Sequence, residues 1–238
     1  MKVAVVSSFR KNCGIGIYTG LLIRNLLKSS QVKEIHLLTH MDSDIILNHP
    51  KLRVYRIINE EYPFYLKKLI EITSRIRPSV IDVEWDHNLY SPLLLLGQYL
   101  YPYLLLNKER TVVSFHSLYL LKDMEKAINH LKPLNTFFTT YYGVTKKFLI
   151  SVPKIGRVFT IYELKQIPKK NNFYLIRHPI EESRPLPPPS SLKKVNLLVF
   201  GFIRWTKNYE LAISSLARLP KNYSLVIIGK PMSFNVVS

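Results

Sequence analysis

The sequence predicts an α/β protein: a doubly wound, Rossmann-like parallel sheet, followed by the first strand–helix–strand unit of a second domain. In residues 1–183, short apolar runs without interior charges alternate with segments of helical period, as expected when helices join buried parallel strands. Four prolines within residues 185–189 then interrupt this pattern, because no helix or strand tolerates that density. We therefore predict an N-terminal domain at 1–183, a linker at 184–193 and an incomplete second domain at 194–238.

The order of the elements follows from the periodicity of the apolar residues. Strands are predicted at residues 2–7, 34–39, 52–57, 80–85, 110–116, 136–141, 157–160, 173–180, 195–200 and 224–228. Helices are predicted at residues 14–27, 62–75 and 144–151, and from about Thr206 in the second domain.

Residues 91–106 form the most hydrophobic stretch of the chain. They fall short of the roughly 20 apolar residues that a membrane-spanning helix requires. We predict a buried helix, or one helix broken at Pro102. A contact with a membrane interface is a second interpretation, since the stretch contains three tyrosines and the chain is strongly basic.

A formal net charge of +18, from 34 basic and 16 acidic residues, dominates the composition. Such a charge attracts nucleic acids, anionic lipid headgroups or phosphorylated substrates, and does not choose among them. The basic residues are scattered and no nucleic-acid-binding motif accompanies them. We therefore expect no dedicated nucleic-acid function, and keep a basic nucleic-acid binder as a third alternative.

The cysteine, the histidines and the N-terminal residues bear on three further features: a disulfide, a metal site and a signal peptide. Cys13 is the only cysteine, so an internal disulfide is excluded and a reducing compartment fits. The seven histidines show no metal-ligand spacing, and we expect neither a metal site nor a cofactor. Met1 and Lys2 lead directly into the first strand without a signal core, so we expect a cytoplasmic protein.

The stretch after the strand at 195–200 has the features of an anion-binding turn. Gly201 bounds the strand, and Arg204 and Lys207 precede a segment of helical period. Free N–H groups and the dipole at a helix N-terminus favour anions, and two mobile cations add to this, so a diphosphate is a suitable ligand. Two simply solvated cations are the alternative interpretation.

This order of parts resembles the start of the C-terminal domain in glycosyltransferase family 4, whose members are retaining enzymes of the GT-B fold. They carry a strand, then G-x-[IL]-R-x-x-K-G, a helix and a second strand. Gly201, Arg204 and Lys207 match that motif. Asn208 replaces its last glycine, which is tolerable because Asn also accepts unusual backbone angles. The resemblance implies that Arg204 and Lys207 hold the diphosphate of a nucleotide-sugar donor.

Gly14 and Gly16 lie between the first strand and the first helix, where a backbone without Cβ atoms can approach a ligand closely. The spacing to Gly20 and the long loop before Gly14 do not fit the dinucleotide-binding fingerprint. Family 4 members carry a glycine-rich loop here, often G-I-[AG]-x-Y, facing the substrate. The resemblance implies that Gly14 and Gly16 form such a cleft loop.

The strand at 80–85 carries acids at alternate positions. Asp82, Glu84 and Asp86 share one side of it, because side chains alternate along a strand, and His87 follows. One interpretation is an exposed sheet edge. The other places Glu84, Asp86 and His87 at the carboxyl end of a parallel strand, where ligands of such sheets bind. Family 4 members resemble this with a short polar motif on the acceptor side.

His116 ends another predicted strand, two residues after Ser114. An isolated histidine at a strand end is often structural. Family 4 members, however, carry [TS]-x-H at this point, with the histidine near the transferred sugar. The resemblance makes His116 the candidate catalytic residue, acting with the glycine-rich loop in a cleft between two domains.

The function predicted from these features is transfer of a sugar from a nucleotide-diphosphate sugar to an acceptor, with retention of configuration. A lipid-linked or polysaccharide acceptor fits the basic, aromatic-rich chain, as does a peripheral contact at the inner face of a membrane. The alternative is a non-catalytic remnant of the same fold that binds sugar nucleotides or anionic membranes.

The second predicted domain lacks one feature of the family. Family 4 members carry two glutamates separated by seven residues in this domain, whereas Glu210 is the sole acid in 194–238. We therefore expect a truncated protein with impaired transfer, and whether it is an enzyme stays open. Apolar strand faces at Val199, Leu225 and Ile227 would need cover from the first domain or from a second copy of the chain.

Overall fold

The computed structural model describes residues 1–10, 13–44, 46–59, 61–86, 89–90, 98–116, 135–165, 167–168, 172–179, 195–201 and 208–229. The chain divides into two compact units, Met1–Ile180 and Glu181–Ser238. The division falls beside the proline-rich segment, which itself lies outside the described residues.

The first unit is built on a sheet of seven strands, all parallel. The strands are β1 (Lys2–Val6), β2 (Glu34–His40), β3 (Leu52–Ile58), β4 (Val80–Trp85), β5 (Thr111–Phe115), β6 (Ile155–Val158) and β7 (Phe173–Leu175). Their order across the sheet is β3-β2-β1-β4-β5-β6-β7. This is the strand order of doubly wound sheets, and it confirms the fold class that the sequence predicts.

Helices lie between these strands along the chain. In the described residues of the first unit they are α1 (Gly14–Lys28), α2 (Tyr65–Ile76), α3 (Tyr101–Leu106), α4 (Asn135–Ser151) and α5 (Ile161–Lys165). The strand order reverses between β1 and β4. In sheets of this kind, ligands bind outside the carboxyl ends of the strands at that reversal.

Both faces of the sheet are apolar near its centre, which explains the uninterrupted apolar run of β1. Val3 and Val5 pack on one face, in a cluster with Ile23 of α1. Ala4 and Val6 pack on the other face, in the cluster that contains the buried side of α2. Alternate residues of a strand point to opposite faces, so a strand covered on both sides needs apolar residues throughout.

Helix α2 shows how its own sequence fixes its place. Its buried residues recur at helical spacing (Tyr65, Leu69, Ile72, Thr73 and Ile76), and its charged residues face outward. The helix ends at Arg77, which adopts a left-handed conformation with φ 50°. Pro78 follows, and the residue before a proline is disfavoured in the α conformation. The predicted helix at 62–75 is confirmed with a later start.

One predicted strand is wrong. The strand expected at 136–141 is helical, because α4 runs without interruption from Asn135 to Ser151 and includes the helix predicted at 144–151. Threonine and aromatic residues favour strands only weakly, and no breaker other than Gly143 interrupts the segment.

For residues 91–106, where a buried helix or a helix broken at Pro102 is predicted, the structure describes a helix that starts at Tyr101. Pro102 lies in the first turn of α3, where its missing N–H would have no helical partner, so it begins the helix rather than breaking it. Tyr103 and Leu104 are buried, as predicted for this stretch, whereas residues 91–97 lie outside the described part. Of the helices described, none has the length and apolar character to cross a bilayer.

The second unit contains the predicted strand–helix–strand sequence. Strands β8 (Val195–Phe200) and β9 (Tyr223–Ile228) pair in parallel, and α6 (Tyr209–Leu216) lies between them in the chain. Both strands carry exposed apolar side chains, including Leu198, Phe200 and Ile228. Cover by a second copy of the chain stays a prediction.

Two residues of this unit adopt left-handed backbone conformations. Gly201, directly after β8, has φ 132°, and Asn208, directly before α6, has φ 55°. Glycine and asparagine are the residues that accept such angles at least cost. The Asn208 carbonyl accepts the first helical bonds, from Leu211 N at 3.1 Å and Ala212 N at 3.3 Å. Asn208 thus adopts the backbone conformation for which the family 4 motif has a glycine.

The start of α1 generates a prediction with a matched control. A Cβ atom on Gly16 would clash with the backbone oxygen of Arg10, whereas a Cβ on Gly14 would meet no atom within 4 Å. Gly16→Ala should lower the free energy of unfolding by about 1–3 kcal/mol, because a backbone atom cannot rotate away. Gly14→Ala should leave it unchanged or raise it by up to ~1 kcal/mol, because alanine favours helix.

Urea unfolding of the two variants beside the unsubstituted protein measures this difference. Equal stability of Gly16→Ala and Gly14→Ala would contradict the close approach of Gly16 to Arg10.

Candidate functional site

A row of polar side chains crosses the sheet near the carboxyl ends of three neighbouring strands. Glu84 of β4 pairs with Ser114 of β5, and Ser114 pairs with Arg157 of β6. Paired residues of parallel strands point to the same face, so these three side chains lie side by side. Asp82, two residues before Glu84, is on the same face. A central position that is normally apolar is therefore occupied by ionisable groups.

Arg157 joins the two acids of β4. Its guanidinium donates to Asp82 Oδ1 and lies 3.4 Å from Glu84 Oε1. The side chains of Arg157, Asp82 and Glu84 are 13%, 9% and 0% exposed, respectively. Two buried carboxyl groups share one guanidinium, so one negative charge remains unless a proton is bound.

Burial sets the protonation of this cluster. Loss of solvation raises the pKa of Asp82 and that of Glu84 to about 7, with Arg157 acting in the opposite direction on both. Burial alone would lower the pKa of Arg157, but the two carboxylates raise it, so the guanidinium stays charged. Near neutral pH the two carboxyl groups therefore hold a proton between them.

His116 joins the cluster from the end of β5. Its Nε2 lies 2.8 Å from Glu84 Oε2, and its backbone N–H donates to the Trp85 carbonyl at 3.0 Å. The imidazole is 7% exposed, and this burial lowers the pKa of His116 to about 4. Burial therefore favours the neutral form of the ring, and the 2.8 Å contact requires a hydrogen between Nε2 and Oε2.

Aromatic rings enclose the imidazole. The Tyr18 ring of α1 meets it edge-on with centroids 5.1 Å apart, and the Phe159 ring lies 4.7 Å away. His178 in turn stacks on Phe159 at 4.0 Å. Burial, reinforced by the Glu84 carboxylate, raises the pKa of Tyr18 to about 12, so its hydroxyl keeps its proton. The rings fix the plane of His116 and exclude water from two of its sides.

The start of α1 is tied to β1 behind this ring. Thr19 Oγ1 donates to the Ile15 carbonyl at 2.8 Å, and its oxygen lies 2.5 Å from Ser7 Oγ. Gly14 and Gly16 both lie in the first turn of α1. Their role as a cleft loop stays a prediction.

The structure brings two of the predicted site residues together, Glu84 and His116. Asp86 directly follows β4, and its negative charge acts on His116. The interpretation of the acidic strand as an exposed sheet edge is wrong, because β4 lies between β1 and β5 with Asp82 and Glu84 buried.

The remaining predicted residues are in the second unit or outside the description. Gly201 is described above, whereas His87, Arg204 and Lys207 lie outside the described residues. Within the described part, no group of three histidine, cysteine or acidic residues could hold a metal ion.

Sequence reasoning missed the groups around this pair, namely Tyr18, Arg157, Phe159 and His178. Two signals were available. Tyr18 occupies the tyrosine position of the G-I-[AG]-x-Y pattern, and buried acids on a strand require a cation, for which Arg157 in a short apolar strand is a candidate. Neither signal says which rings meet His116.

Comparisons with known proteins add little to this description. No family model matches the chain, and no curated protein matches it. Among solved structures the chain is similar to CalG4, the calicheamicin glycosyltransferase, at 12% identity and a TM-score of 0.43, over 99% of this chain and 67% of that one. The fold assignment therefore rests on the strand order of the protein itself.

The shared proton generates a prediction about stability and pH. The raised pKa values of Asp82 and Glu84 mean that the folded state binds more protons than the unfolded state between about pH 4 and 7. Their contribution to stability is fully present below this window and is lost as pH rises through 7. Asp82→Asn should flatten that decline, by up to about 1.4 kcal/mol per pH unit for each proton removed.

Urea unfolding at several pH values between 5 and 8 measures the slope. Glu71→Gln, on the exposed side of α2, is the control and should leave the slope unchanged. The lowered pKa of His116 contributes with opposite sign, but this residue is present in all three proteins. Parallel profiles of Asp82→Asn and the unsubstituted protein would show that the cluster holds no extra proton.

Proposed function

We propose that the protein transfers a sugar from a nucleotide-diphosphate sugar to an acceptor hydroxyl, with retention of configuration. The observation that carries this proposal is the backbone on either side of residues 202–207. Gly201 and Asn208, the first and last positions of the family 4 motif, both adopt left-handed conformations. They stand between a strand and a helix, as the motif requires, and they bracket Arg204 and Lys207.

The chemistry of the leaving group gives these two cations their role. When the bond from sugar to diphosphate breaks, negative charge builds on the diphosphate oxygens. Arg204 and Lys207 would stabilise that charge, assisted by the N–H groups at the start of α6. The same groups bind the intact donor, so donor affinity and donor departure depend on one set of contacts.

The first unit supplies groups suited to a sugar or another polyhydroxylated ligand. His116, Glu84 and Asp86 lie at the carboxyl ends of β4 and β5, next to the reversal of strand order. Imidazole and carboxylate groups bind hydroxyls directionally, and Tyr18 adds a protonated hydroxyl nearby. We propose that this end of the sheet, with His87 and the Gly14–Gly16 turn, holds the transferred sugar and the acceptor. A lipid-linked or polysaccharide acceptor fits the basic chain.

The donor assignment predicts the effect of removing both cations. Arg204→Ala together with Lys207→Ala should weaken the binding of nucleoside diphosphates by at least about 3 kcal/mol, or roughly 100-fold, since each charged hydrogen bond contributes about 1.5–3 kcal/mol. Titration calorimetry with a panel of nucleoside diphosphates measures the affinity.

Arg218→Ala together with Lys221→Ala is the matched control. It removes the same charge from exposed positions between α6 and β9 of the same unit. This control should retain the affinity. If both double variants lose the same affinity, the diphosphate is attracted by the overall charge and the donor assignment fails.

The role of His116 predicts a separation of binding from transfer. His116→Ala should keep the affinity for nucleoside diphosphates while lowering sugar transfer, or hydrolysis of the donor, about 100-fold, because a misplaced substrate reacts far more slowly. Transfer from radiolabelled nucleotide sugars, expressed per folded protein, is the measurement.

His36→Ala removes another buried histidine, one that contacts Glu34 and Tyr55 in the β2–β3 half of the sheet. It should lower stability without this selective loss of transfer. A His116→Ala variant that is destabilised but fully active would identify His116 as a structural histidine. An unsubstituted protein that neither binds diphosphates nor uses any donor would overturn the proposed function itself.

A further inference from the structure

We propose that Glu84 is a positioning residue that holds His116 in one tautomer, with Nε2–H donated to Glu84 and Nδ1 left to accept a hydrogen bond from an uncharged hydroxyl-bearing ligand. The geometry rests on the 2.8 Å contact between Nε2 and Glu84 Oε2. Among the hydrogen bonds of the described residues, this is the one that the His116 ring makes. That the ligand is a sugar rests on the proposed function, whereas the tautomer does not.

The first step is the identity of the ionised acid. Glu84 and Asp82 share the guanidinium of Arg157, and both are buried. Both oxygens of Glu84 face nitrogen atoms, Oε1 the Arg157 guanidinium at 3.4 Å and Oε2 the His116 ring at 2.8 Å. Because a carboxylate accepts from donors on both oxygens, we infer that Glu84 is ionised in this arrangement. Glu84 is a carboxylate and can only accept, so the hydrogen between Glu84 and Nε2 belongs to the imidazole.

The second step is the rigidity of the pair. Glu84 stands on a central strand with no exposed side-chain surface, and Arg157 holds its other oxygen at 3.4 Å. The His116 ring is enclosed by Tyr18 and Phe159. A ring flip would exchange Nε2 for another ring atom beside a buried carboxylate, which would then lose its hydrogen bond. Glu84 thus determines which ring nitrogen is left for a ligand.

The third step is the local charge, which is opposite to that of the chain. Among the described residues, the charges that act on His116 come from the acids Asp82, Asp86 and Glu163, in addition to Glu84 in direct contact, and from the cation Arg157. The chain as a whole carries +18. A phosphate at His116 would meet these carboxylates in a poorly solvated place, so the site favours an uncharged hydroxyl.

The tautomer is tested without any enzymatic assay. Imidazole ¹⁵N and ¹³C chemical shifts at neutral pH distinguish the Nε2–H from the Nδ1–H form, and the signal of His116 is assigned by its loss in His116→Asn. The unsubstituted protein should show the Nε2–H form alone. Glu84→Gln should shift the ring toward the Nδ1–H form, because the amide can donate to Nε2. Asp86→Asn, which removes a nearby charge and leaves Glu84, should keep the Nε2–H form.

Two results would overturn the positioning role: an Nδ1–H ring in the unsubstituted protein, or the same tautomer in that protein and in Glu84→Gln. For the ligand class, the probes are methyl α-glucoside and inorganic phosphate, added while the His116 signals are followed. The glucoside should move them more than phosphate does. A larger effect of phosphate, or no effect of either, would overturn the assignment to an uncharged ligand.

Kinetic measurements distinguish a failure of the positioning role of Glu84 from a failure of the proposed function. Glu84→Gln should lower kcat for sugar transfer about 10- to 100-fold, with the affinity for nucleoside diphosphates unchanged. Full transfer activity in Glu84→Gln would refute the positioning role and leave the proposed function standing. If the unsubstituted protein neither bound nucleoside diphosphates nor used any donor, the proposed function would be refuted, and the tautomer measurement would then decide the positioning role by itself.

Discussion

The guanidinium of Arg157, buried between Asp82 and Glu84, is the interaction on which the site depends. A parallel sheet is covered on both faces, and placing three ionisable groups there costs solvation that a row of valines would not cost. The cost is offset only while all three groups are present, since loss of one partner leaves an unpaired buried charge. A buried cluster of ionisable groups with perturbed pKa values is typical of a functional position.

The fold places this buried cluster near the carboxyl ends of the central strands, where ligands of such sheets bind. Reversal of the strand order between β1 and β4 opens the carboxyl ends of the central strands to a ligand, and Glu84 and His116 stand at those ends. Helix α1, tied to β1 through Ser7 and Thr19, brings the Tyr18 ring against His116. Burial favours the neutral form of His116, whereas the Glu84 carboxyl group and the aromatic rings fix the position of the imidazole.

The net charge of the chain and the charges around His116 have opposite signs. The net charge of +18 describes the surface, which would attract anionic partners from a distance. The immediate surroundings of His116 are acidic instead, and at contact distances they decide what binds. Composition alone would assign a phosphate to every site on this chain. Under the proposed function the anion binds at the turn after Gly201, and under the further inference a hydroxyl binds at the end of β5.

The sequence by itself determined the strands, most of the helices and the two left-handed positions of the second unit. Short apolar runs predicted these strands, and glycine and asparagine, at positions 201 and 208, are residues that tolerate such backbone angles. The local pattern gave a wrong prediction at residues 136–141, which lie within a helix although their composition favours a strand, because that preference is weak and depends on context.

Glu84 and His116 were each recognisable from the ends of their strands, but their pairing was not, nor was the role of Arg157. Glu84 is 32 residues from His116 and 73 from Arg157 along the chain. The register of β4, β5 and β6 aligns them, and that register is set by packing over the whole sheet rather than by the residues themselves. Only the tertiary structure could show that Glu84, His116 and Arg157 lie together in a buried place. Burial and proximity determine the charges of these groups, and both are properties of the folded chain.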